Sequence, residues 1–212
     1  MPKKTFERLD EGKKRRIENS ALSVINAQGY DRTTIRDVVR AANIPRGSFY
    51  QYFDGMEDLF NHLINVISEQ KMAYMNDLWE KVEKQSFIGL YPDFIKRGVA
   101  FAYQHKEAYL FGYHLYHSNS EEVWRLRREI EREGISMMET LLDKDKDQGI
   151  LKRGVETHLL AVLLFDFNAN QLVRMVYDQV DEKTIMKKVE AFLAIVCHGI
   201  MVEEELYEKE SL

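Results

Sequence analysis

Nine consecutive residues, Pro45-Arg46-Gly47-Ser48-Phe49-Tyr50-Gln51-Tyr52-Phe53, gather groups suited to recognition rather than bond-making. Arg46, Ser48 and Gln51 can hydrogen-bond base edges or phosphates. Tyr50 and Tyr52 can place hydroxyls on phosphate oxygens, and Gly47 removes a side chain where a backbone would approach a duplex closely. Phe49 and Phe53, four apart, would face a small core. Upstream, Thr33, Thr34 and Arg36 add hydroxyl, amide and guanidinium groups at the start of a preceding helix, where a phosphate can be bound.

Other sets carry weaker chemistry. His114 and His117 lie three apart with His105 nearby, a spacing compatible with a metal. No cysteine or partnered carboxylate joins them, so no metal and no cofactor is expected. The sequence has no GxSxG, HExxH, P-loop, CxxC or Rossmann glycine pattern, so no enzyme is expected either. The one cysteine, Cys197, lies in an apolar helical run, reads as a core residue, and fits a reducing cytosol.

From Phe87 to Trp124 the chain holds ten of its 24 aromatic residues. Such a stretch suits either a packed core or an apolar ligand cavity with a few polar tips. Phe94, Phe101, Tyr109, Tyr113, His114, His117 and Trp124 are candidates to line such a cavity. Asp166, Asn170 and Arg174, spaced by four, form a polar stripe beside the apolar run Leu159 to Phe165. Asp166 and Asn170 would face a ligand, cross a dimer interface or pair internally.

The elements that must position these groups are helical throughout. Only Pro2, Pro45 and Pro92 could break helices, and no sustained period-2 alternation appears. Helices are expected at about 5–28, 34–42, 45–51, from about 57, 87–105 (with a possible break at Pro92), 107–117, 120–147, 156–179 and 182–208. Gly29 would close the first, Thr34 with Asp37 would form a capping box on the second, and Pro45 would sit near the first position of the third. The expected architecture is all-α with about nine helices. A three-helix helix-turn-helix domain at 1–54 would precede a larger helical domain at 55–212. The last two helices are apolar over wide arcs, with Leu164, Val173, Val176, Phe192, Leu193 and Val196 among the residues on them, and such helices must be covered on more than one side.

The spacing Ile17-x3-Ala21, Gly29-Tyr30, Thr33-Thr34-Ile35-Arg36-Asp37-Val38, Ala41-Ala42-Asn43-Ile44, Gly47-Ser48-Phe49-Tyr50, Tyr52-Phe53 and Glu57-x-Leu59 resembles the DNA-binding domain of the TetR/AcrR family of bacterial transcriptional regulators. The resemblance covers about fifty residues. It implies that residues 55–212 form an all-helical ligand-binding and dimerisation domain, in a homodimer whose last two helices form a four-helix interface through Leu164, Val173, Val176, Phe192, Leu193 and Val196. It also implies a double-stranded DNA operator as partner, and release by a small-molecule effector, here hydrophobic or aromatic. Two positions depart from the pattern. Met56 stands where the family usually has a phosphate-contacting lysine, and Pro45 where a small hydroxyl residue is common.

The chain has 212 residues and net charge -5, which taken whole argues against a nucleic-acid partner. The charge is uneven. Residues 1–53 hold eleven basic and six acidic side chains, a net +5, leaving -10 on the remainder. A basic head on an acidic body directs one end toward DNA. The charged N-terminus predicts no secretory signal. The longest unbroken apolar runs, Leu159 to Phe165 and Ala191 to Cys197, fall far short of the roughly 20 residues that span a bilayer. A cytoplasmic protein with no membrane partner is expected.

Overall fold

Few prolines and many strong helix formers leave the chain nothing but helices to build. The computed structural model describes residues 2–200, and among them there is no β-strand. The helices are α1 (Lys4–Glu7), α2 (Glu11–Gln28), α3 (Ile35–Ala41), α4 (Arg46–Tyr52), α5 (Met56–Tyr74), α6 (Asn76–Val82), α7 (Phe87–Gln104), α8 (Lys106–His117), α9 (Glu121–Asp147), α10 (Thr157–Tyr177) and α11 (Glu182–Ile200). The nine expected elements are therefore joined by two short ones, α1 and α6. The expected helix at 5–28 is divided because Asp10 turns extended and caps α2, accepting from the Lys13 amide at 2.9 Å. Pro92 lies inside α7 without ending it.

The described residues pack as two units, 2–72 with 105–128, and 73–104 with 129–200. The first is larger than the domain expected at 1–54. Its core joins Ile17, Ala21 and Ile25 of α2 to Val38, Phe49, Phe53 and Leu63, all fully buried. It takes in α8 because Phe60 packs at a tilt against Tyr30 and Phe111, at 4.5 and 4.6 Å between ring centres. Asn26 adds hydrogen bonds to the Glu107 carbonyl and carboxylate at 2.9 and 2.7 Å.

The second unit is cored by Ile88, Tyr91, Ile95, Leu142, Leu160, Ala161, Leu164, Ile185 and Val189. Asp145 is fully buried there and caps α7, accepting from the Ser86 hydroxyl and from the amides of Phe87 and Ile88 at 3.0, 3.1 and 2.8 Å. At Gly134 of α9 a Cβ would stand 2.5 Å from the Phe165 ring, so that close approach requires glycine.

The polar residues after Phe165 mark a real irregularity. Phe167–Leu172 winds as a π-helical turn inside α10. The buried Tyr91 hydroxyl donates to the Leu164 carbonyl at 3.0 Å, an acceptor that regular winding would give to the amide of residue 168. By length and composition α10 could cross a membrane, contrary to the expectation from unbroken runs. Asp166, Asn168 and Asn170 interrupt the run while leaving the mean hydropathy at 1.3. Core helices of soluble proteins meet the same criterion, and Leu160, Ala161, Leu164, Leu172 and Met175 are buried in their own unit.

Candidate nucleic-acid interface

The basic head is organised by two short helices and a tight turn. Thr34 caps α3 through the expected box: the Asp37 amide donates to its hydroxyl at 3.3 Å, and the Thr34 amide donates to Asp37 Oδ2 at 3.2 Å. The Thr34 hydroxyl also donates to the same carboxylate at 2.6 Å. This hydroxyl, then the backbone amide, holds Asp37 below the ordinary carboxylate range. After Ala42 the chain turns through Asn43 at φ 51, a left-handed conformation asparagine tolerates well. Pro45, extended at φ -61 and ψ 144, is the cap residue of α4 rather than a residue of its first turn.

On α4 the two faces separate cleanly. Phe49 and Tyr52 are buried, as is Phe53 just beyond. Arg46, Gly47, Tyr50 and Gln51 share the opposite, exposed face, with Ser48 half-buried between. The Arg46 guanidinium lies 3.4 Å from the Tyr50 hydroxyl and 5.9 Å from its ring, which pre-orders both side chains. A Cβ on Gly47 would meet nothing within 4 Å, so no internal packing explains glycine there. Pro45, Thr34 and Arg36 are exposed on the same small domain.

Two residues assigned to contact are not presented. Tyr52 is 5% exposed, its ring edge-on to Phe6 at 5.8 Å with Lys13 over its face at 5.9 Å. Three residues on from Phe49, it shares the buried face of α4, where Phe6 packs against it. Thr33 is buried and its hydroxyl donates to the Gly29 carbonyl at 2.7 Å, closing the turn at Gly29, whose φ is 80. Beyond α3 and α4, Arg15 and Arg16 of α2 are exposed, while Lys14 pairs with Glu11 at 2.9 Å.

The residues proposed to line one ligand cavity divide between the two units. In the first, His114 sits 3.1 Å from the Asn26 carbonyl, and His117 stacks on Tyr113 at 3.9 Å. Tyr109 is half-buried on α8, and Trp124 is exposed beneath Arg128, 4.8 Å from its ring. In the second, Phe94 packs on Trp79 and Phe87, and Phe101 on Tyr74, so both fill the core. Asp166 and Asn170 are exposed. Within the first unit, an open cleft of about 610 Å³ is lined by Tyr116, His117, Ser118, Asn119, Glu121, Trp124 and Arg127. Another of about 420 Å³ is lined by Tyr30, Asp31, Thr33, Met56, Asn119 and Ser120.

The expected dimer residues are also redistributed. Leu164 and Leu193 are buried in their own core, and Phe192 stacks flat on Phe167 at 4.0 Å. Val173, Val176 and Val196 are half-buried. The large apolar side chains that α10 and α11 do expose are Leu159, Leu163, Tyr177 and Ile195, the last 77% accessible. The wide apolar arc was legible, but which side faces inward depends on the π turn, which shifts the register of everything after Phe167.

Fold and site together define an all-helical protein with an N-terminal helix-turn-helix. Residues 17–63 match the family model of the bacterial regulatory proteins, tetR family, so the likeness lies in the helix-turn-helix segment. An HTH-type transcriptional regulator of Bacillus subtilis, YvdT, is 35% identical over 77 residues, which are 36% of this chain and 35% of that one. The chain thus aligns with about a third of that relative's length. The solved structure of NalD, the secondary repressor of the MexAB-OprM multidrug efflux pump in Pseudomonas aeruginosa, has a TM-score of 0.72 at 17% identity, covering 91% of this chain and 98% of NalD. FadR from Bacillus subtilis, solved with stearoyl-CoA, has a TM-score of 0.69 at 17% identity, covering 84% and 96%. At those identities the likeness establishes the fold.

Proposed function

We propose that the protein is a cytoplasmic, homodimeric transcriptional repressor that binds a roughly palindromic double-stranded operator and is released by a small hydrophobic or aromatic effector. The exposed face of α4, with Arg46, Gly47, Tyr50 and Gln51 on a head of net +5, carries the reading. Arg46 and Gln51 supply base-edge donors, and exposed Arg36, Arg15 and Arg16 supply phosphate neutralisation. A dimer would place two such heads on half-sites in successive major grooves. Exposed Leu159, Leu163, Tyr177 and Ile195 favour a partner copy over an isolated chain.

Effector control is a population shift: the ligand must bind the state that fits DNA poorly better than the state that fits it well. The stearoyl-CoA complex of FadR makes an apolar ligand a reasonable class here. A gel shift on DNA upstream of the protein's own gene, at low salt and with candidate acyl and aromatic ligands, tests the reading. Retardation relieved by a ligand supports it. No retardation of any such duplex sinks it.

A further inference from the structure

The last turn of any α-helix leaves four carbonyls without intrahelical donors. In α4 these belong to residues 49–52. Phe49 is satisfied locally, by the Phe53 amide at 2.8 Å. The other three are satisfied from the beginning of the chain. Lys3 Nζ donates to the Tyr50 carbonyl at 2.9 Å, the Thr5 hydroxyl donates to the Gln51 carbonyl, and the Lys3 amide donates to the Tyr52 carbonyl at 2.8 Å. The Phe6 ring, 2% exposed, anchors this segment between Tyr52, Phe53 and His62, with ring centres 5.8, 4.8 and 5.0 Å away. Lys3 Nζ also lies 2.6 Å from Asp54 Oδ1.

This support matters because α4 is weak by itself. It has seven residues, far below the roughly 12–15 an isolated helix needs. Gly47, Ser48 and three aromatics are poor to middling helix formers. No basic residue of its own lies in the last turn to oppose the helix dipole, and the Lys3 ammonium takes that place.

We propose that residues 3–6 form a clasp on the recognition helix, and that Lys3 and Thr5 set DNA affinity as positioning residues that do not touch DNA. The inference rests on the reading that α4 enters the groove. It makes a distinctive claim about salt. The Lys3 charge is already matched by Asp54, so its loss releases no extra counterion. A phosphate contact behaves otherwise, changing the slope of log K against log salt by about 0.9.

The test uses the full chain, a duplex selected by the wild type from a random-sequence pool, and fluorescence anisotropy between about 50 and about 200 mM salt. Variants are Lys3→Met, Thr5→Val and the pair, with Thr5→Ser as the conservative rescue. Hydrogen exchange of the α4 amides is measured without DNA. The paired variant should bind about tenfold more weakly with unchanged salt slope, exchange faster across α4, and remain folded by circular dichroism; this is the loss expected from two removed hydrogen bonds. Thr5→Val alone should lose about threefold or more, restored by Thr5→Ser, which keeps the claim testable should Lys3→Met fail to fold. A slope reduced by about one charge makes Lys3 a phosphate contact and overturns the proposal. So does unchanged affinity in a folded paired variant, or unchanged α4 exchange. A wild type that selects no duplex overturns the DNA reading instead, and the exchange comparison still judges the clasp.

Discussion

The Asn168 side-chain amide donates to the Tyr91 hydroxyl at 2.9 Å, and that hydroxyl donates onward to the Leu164 carbonyl at 3.0 Å. Burial pushes Tyr91 far above the ordinary tyrosine range, with the Asn168 hydrogen bond working against it, so the phenol stays protonated and donating. Replacing Tyr91 by Phe strands an amide and a carbonyl beside the π turn. Unpaired buried groups cost about 1–3 kcal/mol, and urea denaturation should show a loss in that range. Asn168→Ala made in the Tyr91→Phe background should add little, because the two residues act through one hydrogen bond. Full additivity would show that the pair is not coupled.

Gly47 offers a case where stability and function should move in opposite directions. Alanine in a helix is favoured over glycine by about 0.5–1 kcal/mol, and nothing within 4 Å would obstruct its methyl group. Gly47→Ala should therefore raise the thermal midpoint and, under the proposal that α4 enters the groove, weaken duplex binding, since the methyl would stand on its exposed face. A stabilised variant that binds as tightly as the wild type would move the contact face away from Gly47.

The helices and turn of the helix-turn-helix were legible in the sequence because their signals are local. A capping box at Thr34 and Asp37, a turn at Asn43 and Pro45, and aromatics four apart each depend on residues within one or two turns. Tyr52 was misplaced because its neighbours in α4 are equally polar and aromatic. Only the packing of Phe6, from a helix that reads as part of α2, decides that it turns inward. The apolar arcs of α10 and α11 were likewise visible, but not their phase. Leu163 and Leu164 are adjacent in sequence and identical in chemistry. One is 49% exposed and the other fully buried, in a core that joins it to residues as distant in sequence as Tyr91 and Val189. The clasp of Lys3 and Thr5 spans about 47 residues and leaves no periodic trace.

Asp31 gives the first unit a measurable pH dependence. Burial works to raise its carboxyl, but the Ser118 hydroxyl and the amides of Asn119 and Ser120 outweigh it and hold the group below the ordinary range. The Asn119 amide donates at 2.9 Å, and the Ser118 hydroxyl donates to the other carboxylate oxygen. A depressed carboxyl contributes stability that is full above its unfolded value, near about 3.9, and lost as pH falls through the folded value. The gap in urea midpoint between wild type and Asp31→Asn should therefore be flat from about pH 5 to 8 and shrink below about pH 4. A gap unchanged down to about pH 3 would mean that the Ser118 and Asn119 contacts do not depend on the charge.

Met56 begins α5 where the resembled pattern carries a lysine, and it is half-buried in the lining of the smaller cleft. Met56→Lys should restore a phosphate contact. Binding to the selected duplex would tighten, and the salt slope would steepen by about 0.9. Tighter binding with an unchanged slope would point to altered packing around Tyr30 and Asp31 instead.

Leu163 and Leu164 also make the sharpest test of the dimer. Leu163, with Leu159 one turn earlier, belongs to the exposed apolar set that includes Ile195 of α11. A charge there should abolish self-association yet leave the protomer folded. Leu164 is fully buried in the core of its own unit, and a charge there has no partner and no water. Leu163→Asp or Ile195→Asp should sediment as folded monomers and lose cooperative binding to a palindromic duplex. Leu164→Asp should lose its near-ultraviolet dichroism instead. The opposite pattern would restore Leu164 to the interface. A wild type that is monomeric and floats with lipid vesicles would assign the exposed face of α10 to a membrane rather than to a second copy.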